Sequence, residues 1–60
     1  MAEQAYQRLM LLFQRLGRHS EALKVYRELT HRLAEELDTL PDAATKRVYE
    51  EIATRKAQRA

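Results

Sequence analysis

The side chains able to do chemistry are few. His31 and Glu35 stand four residues apart, the spacing at which one helix face can present two ligands to a metal ion. No third ligand accompanies them. With two histidines and no cysteine in 60 residues, the chain lacks the donor set of a structural zinc site. The pair is therefore expected to be a polar surface pair. Glu35 and Glu36 are neighbouring carboxylates. General acid–base work needs such groups in a cleft that shifts their pKa, and these two are expected in solvent. His19 and Ser20 place a base beside a hydroxyl, but a serine where a helix begins is first of all a cap. There is no glycine-rich loop to cradle a phosphate. The sequence thus predicts no catalytic group, no metal, no cofactor and no small-molecule ligand.

One further group could touch a ligand. Lys46, Arg47, Arg55, Lys56 and Arg59 gather toward the C-terminus, and Arg55, Lys56 and Arg59 are the candidates for contact with a nucleic-acid phosphate backbone. The competing reading is a soluble helix end whose cations complement the helix dipole. The overall charge favours the second. Eleven basic and nine acidic side chains leave a net charge of +2, and the two signs are interleaved.

The elements that position these groups are helices. Ala, Leu, Glu, Lys, Arg and Gln dominate a chain with one Gly and one Pro, which leaves little room for a sheet and its turns. No apolar run approaches the roughly 18–20 residues of a membrane span. The opening segment MAEQAYQRLM has no basic stretch leading an unbroken apolar core, so no signal peptide and a cytoplasmic location are expected. A single domain over residues 1–60 is expected, and it can hold only one small core.

Gly17 and Pro41 divide the chain into three segments. Apolar periodicity predicts helices over about residues 2–16, 20–37 and 41–55, an all-α fold in which the first two form an antiparallel hairpin and the third packs beside the second. In the first helix Leu12, Ala5, Leu16, Leu9, Phe13, Tyr6 and Met10 cover an arc of roughly 160°, wider than the ~100° stripe of a surface helix. That helix has two sides to cover. Leu11 lies apart, on the polar face with Gln4, Gln7, Arg8, Gln14 and Arg15. Gly17 suits a left-handed cap. Ser20 or His19 is expected to cap the second helix, whose stripe is Ala22, Leu29, Leu33, Tyr26 and Leu37, widened by Val25, Leu23 and Ala34. Thr39 or Leu40 is expected to cap the third, whose narrower stripe is Ala44, Val48 and Ile52 with Tyr49 on its shoulder.

Tyr6, Leu9, Met10, Phe13, Gly17, Ala22 and Tyr26 fall at the spacings of a tetratricopeptide repeat, a helix–turn–helix of roughly 34 residues. Met10 and Leu29 are larger than that pattern expects. The longer stretch RLMLLFQRLGRHSEALKVYRELTHRLAEELDTLPDAATKRVYEEI resembles the C-terminal part of the bacterial transcriptional activator domain, the tetratricopeptide-like module of the antibiotic regulatory protein family. The residues that carry the likeness are Leu9–Met10, Gly17, Ala22–Leu23, Tyr26, Leu33, Glu36–Leu37, Pro41, Tyr49 and Ile52. Asp38 stands where that family usually has Gly, and Asp tolerates left-handed backbone better than most residues. The resemblance implies a non-catalytic interaction or oligomerisation module. In such proteins a DNA-binding winged helix precedes the module. None is present in these residues, so the chain is expected to be a fragment or truncated homologue of a larger regulator. The expected partner is a second copy, most simply a dimer, or the rest of a parent regulator. The expected contact residues are Leu9, Met10, Leu11, Leu12, Phe13 and Leu16.

Overall fold

Gly17 turns the chain as its type requires. In the computed structural model, which describes residues 3–58, helix α1 spans Glu3–Arg15, α2 spans His19–Glu36 and α3 spans Ala43–Gln58. The fold is all-α, and no strand occurs among the described residues. Gly17 has φ 76°, and the amides that follow α1 fold back onto it. The Arg18 N–H donates to the Phe13 carbonyl at 2.8 Å and the Gly17 N–H to the Gln14 carbonyl at 3.0 Å. These two bonds form a Schellman closure. A methyl group on Gly17 would meet no atom within 4 Å, so backbone conformation alone selects glycine here.

The other two caps differ from expectation. The residue flanking α2 is Arg18, and no side chain caps the helix. Ser20 lies inside the first turn, where its hydroxyl accepts a hydrogen bond from Lys56 Nζ at 2.9 Å and ties the start of α2 to the end of α3. At α3 the cap is Asp42, rather than Thr39 or Leu40. Its Oδ1 accepts the Thr45 N–H at 2.9 Å, a bond from the cap to the third residue of the helix.

Between α2 and α3 the chain passes through Asp38 at φ 51°. The Leu37 and Thr39 amides both donate to the Leu33 carbonyl, at 3.0 and 3.2 Å. A side chain in this left-handed conformation is strained. Asp38→Gly is therefore expected to raise stability by about 0.5–1 kcal/mol, a melting shift of roughly 2–8 °C upward by circular dichroism. An unchanged or lower melting temperature would show that the strain is already relieved.

All three helices contribute to the core. Met10 from α1, Ala22, Leu23 and Val25 from α2, and Ile52 from α3 form one buried cluster, with Tyr6, Phe13, Tyr26, Val48, Tyr49 and Ala53 packed against it. The full burial of Ala22 fits the small residue that close approach of α1 and α2 requires. Tyr26 and Tyr49 stack with ring centroids 4.1 Å apart and join α2 to α3. The stripe of α3 is shifted from the expected one. Ala44 is exposed, and Thr45 takes the fully buried position beside Val48, Tyr49 and Ile52. On α2, Ala34 is exposed, and Leu37 lies beyond the helix end at 57 % exposure.

Candidate protein interface

Helix α1 divides its wide apolar arc into an inner and an outer half. Met10 is fully buried, and Tyr6 and Phe13 are half-buried against the core. Ala5, Leu9, Leu12 and Leu16 point outward, with the three leucines 39, 51 and 61 % exposed. Leu11, at 41 %, is on a separate line. With Arg8, Leu12 and Arg15 it lines a shallow open depression. Of the six residues expected at an interface, Met10 is thus a core residue and unavailable to a partner. Phe13 is half-buried. Leu9, Leu11, Leu12 and Leu16 remain accessible.

The reason for this division is polar and long-range. The inward direction of α1 is turned roughly a quarter-turn away from the centre of its apolar arc, so that Glu3 and Gln7 reach α3. The Thr45 hydroxyl donates to Glu3 Oε2 at 2.6 Å and accepts from Gln7 Nε2 at 2.7 Å. Glu3 Oε2 also accepts the Asp42 N–H at 2.8 Å. Thr45 is fully buried, and this clasp is how its hydroxyl is satisfied. Thr45→Val keeps the shape but leaves Glu3 and Gln7 without that partner. It is expected to cost about 1–3 kcal/mol in a urea titration. A loss under about 0.5 kcal/mol would mean that water replaces the hydroxyl at no cost.

Asp42 belongs to the same cluster. The Thr45 backbone N–H, with the Ala44 amide beside it, holds its carboxyl below the ordinary value. A depressed folded-state pKa contributes stability above the unfolded value and loses it as pH falls through the folded one. The cap at the start of α3 should therefore weaken in acid.

The other candidate groups are dispersed. His31 Nε2 lies 3.2 Å from Glu35 Oε1, with both side chains about two-thirds exposed, as a surface pair would be. Among the described residues, no three His, Cys, Asp or Glu side chains are placed to hold a metal ion. Glu35 and Glu36 are exposed. Arg55 pairs with Glu51 at 3.4 Å and Lys56 is bonded to Ser20, so both are engaged within the chain. Arg59 lies outside the described residues. No described helix is long and apolar enough to cross a membrane.

Three helices, with a glycine-turned hairpin and an uncovered outer stripe on its first helix, define an all-α three-helix module. The sequence model of the bacterial transcriptional activator domain matches residues 1–53, and the chain belongs to that family. The family is one of transcription regulators rather than enzymes. No curated protein and no solved structure matches the chain.

Proposed function

We propose that this chain is a self-associating interaction module of a bacterial transcriptional activator, and that the outer stripe of α1 is its contact surface. One observation carries the reading: Leu9 and Leu12 on α1, and Leu16 in the turn that continues it, stand exposed in a single line while Met10 of α1 is fully buried. Scattered exposed leucines are ordinary, but three along one helix face make a patch that a partner can cover.

A dimer built on one such stripe is small. It falls below the ~1,200–2,000 Å² of a standard interface, so association should be reversible and in the micromolar range or weaker. Sedimentation equilibrium over a concentration series tests it. The expected result is a mass that rises from 7.1 kDa toward twice that value. A folded chain that stays at 7.1 kDa up to millimolar concentration would remove the self-association reading. Duplex-DNA affinity that falls steeply with salt would instead move the contact to Arg55 and Lys56 on α3.

A further inference from the structure

The outer stripe carries information about the orientation of its partner as well as its presence. Residues 5, 9, 12 and 16 are spaced four, three and four apart, the spacing of a two-stranded coiled-coil seam. Ala5 and Leu12 then hold d positions, and Leu9 and Leu16 hold a positions. This fixes the two edges. Arg8 and Arg15 occupy g positions on one side, and Tyr6 and Phe13 occupy e positions on the other. One edge is cationic and the other aromatic.

Both arginines are exposed, and neither has an ion-pair partner among the described residues. The one carboxylate of α1, Glu3, is turned to α3. The aromatic edge borders an open groove between α1 and α2, lined by Phe13, Val25, Lys24 and the carboxylates of Glu21 and Glu28. Those carboxylates make only exposed ion pairs, Glu21 with Arg18 at 3.7 Å and Glu28 with Arg32 at 3.4 Å.

Two copies of α1 can meet along the seam in two ways. In an antiparallel pair, edge g faces edge g. Arg8 then lies against Arg15 of the second copy, twice over, with no carboxylate of α1 between them. In a parallel pair, each g position faces the e position five residues further along the other helix. Arg8 then lies against Phe13 of the second copy, beside the groove that holds Glu21 and Glu28. A guanidinium over an aromatic face is attractive, and two facing guanidinium groups are not.

We infer that the second copy binds in parallel, about a two-fold axis running along the paired α1 helices, with Arg8 of each copy against Phe13 of the other. This rests on the self-association proposed above, and it names the geometry of that contact.

The absence of cysteine from the chain makes the test clean. Ala5→Cys and Leu16→Cys are prepared in the full chain and oxidised at concentrations where the wild type associates. In the parallel pair each position faces itself, so each variant alone forms a disulfide-linked dimer. In an antiparallel pair residue 5 faces residue 16, and only the mixture of the two variants cross-links. Cross-linking confined to the mixture, or absent although the wild type dimerises, overturns the parallel geometry. Arg8→Glu adds a second readout of opposite sign. It loosens a parallel dimer at least several-fold, because a carboxylate then faces the ring and the two glutamates. It tightens an antiparallel one, because that carboxylate meets Arg15. Tightening overturns the proposal. A wild type that stays monomeric at every concentration defeats the underlying reading as well, and sedimentation of the unmodified chain separates the two failures.

Discussion

Met10→Ala is expected to unfold much of the chain at room temperature. Met10 is fully buried in the cluster that joins α1, α2 and α3. Truncating such a side chain costs about 2–5 kcal/mol, through lost burial and the cavity left behind. A chain this short holds roughly 3–9 kcal/mol in all. The loss is therefore comparable to the whole, and helical circular dichroism should fall together with the urea midpoint. Met10→Leu, which nearly conserves volume, should cost less than about 1.5 kcal/mol. A Met10→Ala variant that loses less than about 1 kcal/mol would place Met10 outside the core.

Leu12→Glu is expected to have the opposite character. Leu12 is 51 % exposed and takes no part in the buried cluster. Leu and Glu have similar helix propensities, so the isolated fold should change by no more than about 0.5 kcal/mol. In the dimer, however, the substitution places one carboxylate from each copy in the seam without partners. The dissociation constant should rise by at least about 100-fold. Two residues apart on one helix, Met10 governs folding and Leu12 governs association. A Leu12→Glu chain that still dimerises at the wild-type concentration would locate the contact elsewhere.

The difference between these two positions was only half legible in the sequence. The apolar arc of α1 already implied two covered sides, since it is too wide for one. It did not say which half faces inward. That is decided by Glu3 and Gln7 reaching Thr45 across 42 and 38 residues of chain. Apolar periodicity sees none of these polar residues, which is why Thr45 was missed and Ala44 expected in its place. An Asp three residues ahead of a helical Thr was the available signal, and it marks Asp42 as the cap. Local features fared better. Gly17 closes α1 because only glycine takes its φ at no steric cost, and Asp38 stands in for glycine at the second turn. Ser20 is not the cap because α2 already begins at His19, which leaves Ser20 inside the first turn, where Lys56 from the far end of the chain engages its hydroxyl. The family likeness was carried by ordered residues along most of the chain, and the match over residues 1–53 agrees with it.

A second copy is proposed to cover the exposed stripe of α1. Thermal unfolding followed across a wide range of protein concentration tests it most directly, because a contact made only by folded chains raises their melting temperature by mass action. The wild-type melting temperature should climb with concentration, and that of Leu12→Glu should stay constant. A wild-type melting temperature independent of concentration would contradict it.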